Sequence, residues 1–304
     1  VTLALLALLA CETTPPPPEV AEVQPSELSE AAARVFCTAA EQGAIPCTAT
    51  GGTATLGDTA VRIDATVETF LALPPKQIGM GSAAQAVPGE VQVASRVTAH
   101  LGETPLLTVL VEASGSDADM EAARAKAIEA VAQHWMVGTG LAVLDAQAGG
   151  AAALKAVGMD VPPTPIGETG FTGHAAYPVL KGQGFDPKMA AKLGPGVRTM
   201  VAALGPYLEG LPADGPHAVR IHAKLGGGGA NGPCPIIPPV SMTPGETVSL
   251  VPLKAKVEVD GVEKGDPCAL SEPVAWPLPK GGALIEWEQI VVVVPTPAAE
   301  PAPE

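Results

Sequence analysis

Aromatic residues are scarce. The 304-residue chain has four Phe, two Tyr and three Trp, 3% of the total, so a core held together by ring packing is excluded and Val, Leu, Ile and Ala must fill it. Positive charge is short as well: 17 Lys and Arg stand against 32 Asp and Glu, a net charge of −15. That balance repels phosphate backbones and anionic headgroups, which argues against a nucleic-acid partner and leaves the acidity to serve solubility. A membrane helix needs roughly 20 apolar residues, and the run that begins at Leu3 stops at Glu12.

Recognisable catalytic and cofactor motifs are missing too. No Gly-x-Ser-x-Gly pentapeptide occurs, so a serine nucleophile elbow is excluded. Gly79-Met80-Gly81-Ser82-Ala83-Ala84 has the spacing of a dinucleotide fingerprint. That chemistry needs a strand before it and a helix after it; Pro74-Pro75 precede and Pro88 follows, so the stretch reads as a loop. Gly138-Thr139-Gly140 follows a helix, and Gly226–Gly229 lacks the Lys-Ser/Thr of a phosphate loop. Asp117, Asp119 and Glu121 lack the central glycine and distal glutamate of a calcium loop and read as the negative first turn of a helix. His100, His134, His174, His217 and His222 are scattered. His217 and His222, five apart on an expected strand, point to opposite faces and make a poor metal pair. The sequence therefore assigns no catalytic residue, no cofactor and no metal.

Three weaker features stay as candidates. Ser114-Gly115-Ser116 stands between an expected strand and helix, where it suits a nucleophile, an anion or an ordinary cap. Glu286 and Glu288 share one strand face, as paired carboxylates or as an exposed acidic face. Trp276 and Trp287 are possible ligand contacts, with completion of a β core as the ordinary alternative.

What is abundant is glycine and proline, 34 and 33 residues, which predicts long loops and irregular connections. Between them the apolar spacing predicts α+β architecture. Ser26 caps a helix over about 27–42, with Leu28, Ala32, Val35 and Ala39 as its buried stripe. Two extended runs flank Gly57-Asp58, and Val61, Ile63, Ala65 and Val67 alternate with polar residues. Val91, Val93, Ser95, Val97 and Ala99 share a face of the next strand, and LLTVLVEA reads as a central strand. A helix is expected over about 118–136, a strand over 141–147, and a helix starting at Asp186-Pro187. From about 215 the pattern is β, with a turn at Asp260-Gly261 and a long last strand through ALIEWEQIVVVV.

Around residues 3–18 the chain reads LALLALLACETTPPPP. An apolar run closes on Leu8-Leu9-Ala10-Cys11 and passes at once into a polar, proline-rich stretch. This resembles the lipobox of bacterial lipoproteins: Leu8, Ala10 and Cys11 fall on its pattern, over about the first eleven residues. The resemblance implies that residues 1–10 are a signal peptide, that its charged start lies upstream of Val1 or that Val1 is a non-standard start, and that Cys11 carries a diacylglycerol and becomes the first residue. Two such chains anchor stably. The four prolines favour a polyproline rod, so residues 12–25 hold the body about 40 Å from a bilayer. With Cys11 set aside, Cys37, Cys47, Cys234 and Cys268 remain, an even count suited to disulfides in an oxidising compartment. Pairing of 37 with 47 and 234 with 268 is the simplest of three connectivities; a four-cysteine zinc site lacks the close paired spacing.

These readings combine into an expected order: signal peptide 1–10, lipidated Cys11 and spacer 11–25, an α+β domain 26–160, a helical connector 161–214, a sandwich-like β domain 215–295 and a disordered tail 296–304. The expected function is a lipid-anchored cell-envelope protein that binds or scaffolds without catalysis. Its expected partners are the membrane through Cys11 and other envelope proteins. The resemblance favours the outer membrane, since Glu12 stands where an aspartate favours inner-membrane retention. The alternative is an anchored envelope hydrolase whose site assembles only in three dimensions.

Overall fold

The computed structural model describes residues 20–78, 85–148, 163–176, 179–180, 197–226, 247–264, 274–277 and 284–296. The expected helix at Asp186-Pro187, residues 297–304 of the expected tail, and Cys11, Cys234 and Cys268 lie outside the described residues.

The chain is α+β, with antiparallel sheets throughout. Helix α1 (Pro25–Gln42) buries Leu28, Ala32, Val35 and Ala39 on one stripe. Its cap is Gln24, not Ser26: Pro25 fits the first helical position because it has no N–H to satisfy, and this moves the start upstream. Strands β1 (Cys47–Thr50), β2 (Thr53–Leu56) and β3 (Thr59–Leu73) follow as a meander. The β2–β3 turn is Gly57-Asp58, with Gly57 at φ 57°. Short strands β4 (Lys76–Ile78) and β5 (Gln85–Val87) pair with each other, and β6 (Gly89–Leu101) and β7 (Thr104–Asp117) complete a sheet ordered β1-β2-β3-β6-β7. Val61, Ile63, Val91, Val93, Ser95, Val97 and Ala99 are all buried on its inner face.

Helix α2 (Met120–Trp135) packs with α1 on that inner face. The two helices run in the same direction: Arg124 meets Glu27, Arg34 meets Glu129, and the rings of Phe36 and Trp135 lie 6.3 Å apart. Five π-helical residues, Met136–Gly140, lead without a break into α3 (Leu141–Ala148). Residues 141–147 are thus helix where a strand was expected. The run is buried on every side, from Leu141 to Asp145, and such a run carries no period that separates strand from helix. The helix already propagating through α2 decides it.

The second sheet is ordered β13-β12-β11-β15-β9-β8. Its strands are β8 (Thr164–Pro165), β9 (Phe171–Ala175), β11 (His217–Gly226), β12 (Thr247–Val259), β13 (Val262–Lys264) and β15 (Leu284–Pro295). In addition β10 (Val179–Leu180) pairs β15, and β14 (Val274–Pro277) pairs β12. Strand β15 is buried on both faces, Ile290 through Val293 without exception. Helix α3 packs against β9 and β15. Helical residues 197–202 press on the other face, where Gly173 makes room: a Cβ there would collide with Val201 and lie 3.2 Å from Ile166 Cδ1.

Strand β7 is an edge of the first sheet, not its centre. Three of its carbonyls accept from side chains instead of a strand. Arg220 Nη2 donates to Thr108 O at 2.6 Å, His134 Nδ1 to Glu112 O at 3.3 Å, and Lys126 Nζ to Ser116 O at 3.2 Å. Its apolar residues fill the core because α2 lies across them. Arg220, His134 and Lys126 then take bonds that a neighbouring strand would take.

Candidate functional site

Three arrangements gather polar chemistry. The first is where the chain enters the body. Glu27 Oε2 accepts the Gln24 N–H at 2.8 Å, and its other partner is the Arg124 guanidinium. Arg124 also donates to the carbonyls of Ala21 at 2.9 Å and Glu22 at 3.2 Å. Burial pushes the Glu27 carboxyl up, but the Gln24 N–H and Arg124 outweigh it and hold its pKa below the ordinary value. Residues 21–27 are thus clamped to α2. At the far end of α1, Cys37 is bonded to Cys47 of β1, with Cα atoms 5.1 Å apart across the Gly43–Ile45 turn.

The second arrangement is a pair of His–Asp contacts. His174 of β9 meets Asp145 of α3 at 2.6 Å, with the Asp145 side chain fully buried and that of His174 9% exposed. Among the described residues Asp145 Oδ1 has no hydrogen-bond partner. On β15, buried Gln289 donates to the carbonyls of Ala176 and Ile290. Among the described residues no serine or cysteine hydrogen-bonds to His174, so the pair holds a carboxylate and an imidazole but no described nucleophile. His217 meets Asp260 through Nδ1 at 2.7 Å and the Pro212 carbonyl through Nε2 at 2.8 Å. Burial disfavours its charge. The Pro212 carbonyl, the Asp260 carboxylate and nearby Asp214 outweigh that and raise its pKa above the usual histidine value. Asp260 stands at φ 50° and Gly261 at φ 78° in the two-residue β12–β13 turn, so the turn geometry places the partner of His217.

The third arrangement is the outer face of the first sheet. Arg62, Asp64 and His100 form one linked group, with His100 Nε2 at 3.0 Å and Arg62 Nε at 3.2 Å from Asp64. Arg96 pairs with Glu68 at 2.8 Å, and the hydroxyls of Thr98 and Thr108 meet at 2.8 Å. This face presents hydroxyls and self-neutralised ion pairs, suited to wet, polar contact.

The sequence candidates scatter across these places. Ser114-Gly115-Ser116 lie within β7, and the cap of α2 is Asp119, whose carboxylate accepts the Glu121 N–H at 2.8 Å. A Cβ at Gly115 would collide with Ala123 O and Ala127 N of α2. Close helix–strand packing therefore explains the glycine, and the serines frame no site. Asp117 is held by Lys126 at 2.6 Å, which lowers its pKa. Glu288 lies 3.4 Å from Arg220, so it is an ion partner. Trp276 falls on β14 opposite Val248, and Trp287 on β15 opposite Ala223 and Leu180; the register does not bring the two together. Arg124, Arg220 and the Asp145–His174 pair were not legible beforehand, though a lone carboxylate inside LAVLDAQ is the kind of signal that marks a buried partner. No protein-family model, curated protein or solved structure matches the chain.

Proposed function

We propose that this chain is a lipid-anchored envelope protein, held by Cys11 in an oxidising compartment, that works by binding or scaffolding. The observation that carries the proposal is Leu8-Leu9-Ala10-Cys11 followed directly by the Pro15–Pro18 spacer. The clamp of residues 21–27 by Arg124 supports it, because a tether transmits position only if its body end is fixed. So does the Cys37–Cys47 bond, which suits an oxidising space. The polar outer face of the first sheet is the surface offered to other envelope proteins. By the resemblance, Glu12 favours the outer membrane. The test is mass spectrometry and fractionation of the native protein. Cys11 should carry a diacylglycerol mass, and Cys11→Ser should leave the membrane fraction; a variant that stays there sinks the proposal.

A second reading, an anchored hydrolase, draws on the Asp145–His174 pair alone. Asp145→Asn separates the two readings. Under the first it lowers stability by about 1–3 kcal/mol through the broken pair, and the wild type releases no soluble fragments from peptidoglycan. Hydrolysis by the wild type that is lost in a still-folded Asp145→Asn favours the second.

A further inference from the structure

The first sheet extends into an arm. Strands β3 and β6 pair out to Leu73 and Glu90, and β4 and β5 continue the hairpin beyond Pro74-Pro75 and Pro88. Residues 73–78 are all exposed, so the arm stands clear of the helices that cover the rest of the sheet. Five large hydrophobic side chains are strongly exposed among the described residues, and three of them lie here within eight positions: Leu71 at 48%, Leu73 at 42% and Ile78 at 55%. From Thr69 to Gly89 the sequence holds no Asp or Glu and one Lys, Lys76. The whole-chain charge of −15 therefore does not describe this surface. Apolar tips without carboxylates can enter a headgroup layer that the rest of the body avoids.

The arm also leaves the body at the tether's end. A Cβ on Gly89 would collide with Met120 Sδ and lie 3.1 Å from Pro75 Cδ and 3.2 Å from the Leu73 carbonyl, so the arm's base sits on the first residue of α2. One turn further along α2, about 6 Å, Arg124 clamps Ala21 and Glu22. Because Ala21 and Glu22 are clamped to the body, the spacer is shorter than the 12–25 expected from the sequence. Between Cys11 and Val20 the chain can reach at most about 30 Å, so an anchor at Cys11 keeps this end of the body nearest the bilayer.

We propose that the arm, through Leu71 and Leu73 at its base and Ile78 beyond Pro74-Pro75, docks into the surface of the lipid bilayer to which the chain is tethered. This rests on the anchor reading above and adds a second, non-covalent contact to it. Two contacts orient the body where a single flexible tether would let it tumble.

The test follows amide hydrogen exchange along the full chain in two forms: acylated wild type reconstituted in phosphatidylcholine vesicles, and Cys11→Ser mixed with the same vesicles. In the acylated form, exchange over 71–78 and 85–89 should slow by about fivefold or more on transfer from detergent to vesicles. The triple variant Leu71→Ser, Leu73→Ser, Ile78→Ser, acylated alike, should lose that slowing while keeping the wild-type unfolding midpoint. An arm whose exchange is unchanged in vesicle-bound, acylated protein overturns the inference and leaves the anchor standing. An unmodified Cys11 overturns the anchor, and lipid-dependent slowing in Cys11→Ser still supports the arm. Slowing that follows protein concentration without lipid overturns the inference, because a second copy is then the occupant.

Discussion

Single residues are held here by close approach and by charge. Gly115 is hydrogen-sized space between β7 and α2, since a Cβ there meets backbone atoms of Ala123 and Ala127. Backbone cannot swing aside as a side-chain end can, so Gly115→Val should cost about 2–3 kcal/mol, read as a drop in the urea midpoint at unchanged slope. His217 makes a pH prediction. Its folded pKa is raised above the unfolded one, so its stabilisation is fully present below the ordinary histidine value and fades as pH rises through the raised one. The groups facing it are Asp260, Asp214 and the Pro212 carbonyl, with the ring of Phe171 edge-on at 5.7 Å. His217→Gln should cost about 1–3 kcal/mol at pH 6 and distinctly less at pH 9. Paired urea titrations check this, and a cost that grows with pH contradicts the assignment.

At the scale of elements, the Cys37–Cys47 bond joins the last turns of α1 to edge strand β1 across ten positions. Closing so short a loop contributes about 2–3 kcal/mol, chiefly by restricting the unfolded chain. The double variant Cys37→Ala, Cys47→Ala should lower stability by that amount, and dithiothreitol should cost the wild type that much more than it costs the variant. The π-helical residues between α2 and α3 carry a second lesson. Gly138, Thr139 and Gly140 read as a helix end, yet all three are buried and the helix continues through them. A Cβ at Gly140 would lie 2.6 Å from Met136 Sδ and 3.1 Å from the Trp135 ring. The small residues are there for packing, and in sequence a packing glycine and a terminating one look alike.

Across the whole molecule, Arg220 is the strut between the two sheets. From β11 it reaches Thr108 O on β7, and its guanidinium lies 3.6 Å from Glu258 and 3.4 Å from Glu288. Arg220→Ala should cost about 1–2 kcal/mol and should speed amide exchange in the middle of β7 before it affects β3. Equal acceleration in both strands argues that the sheets do not depend on this contact. At the same scale the clamp at Arg124 sets how firmly the body follows its tether, while Cys11→Ser reports whether there is a tether at all.

Much of the fold was legible in the sequence, because half-buried antiparallel strands and amphipathic helices write their burial as a period. The stripe of α1, the alternation of β3 and β6, the Gly57-Asp58 and Asp260-Gly261 turns and the long β15 all follow from residue spacing and local turn chemistry. The address proposed for Cys11 is likewise a matter of contiguous residues. Tertiary packing alone decided the rest. Whether LLTVLVEA is central or at an edge depends on which partner strand arrives, and Arg220, His134 and Lys126 arrive instead. Whether LAVLDAQ is helix or strand depends on burial from every side, which erases the period. His174 finds Asp145 across 29 positions and Arg124 finds Ala21 across 103. Such contacts leave no local trace, because a side chain's partner is chosen by where the backbone brings it and not by its neighbours in the chain.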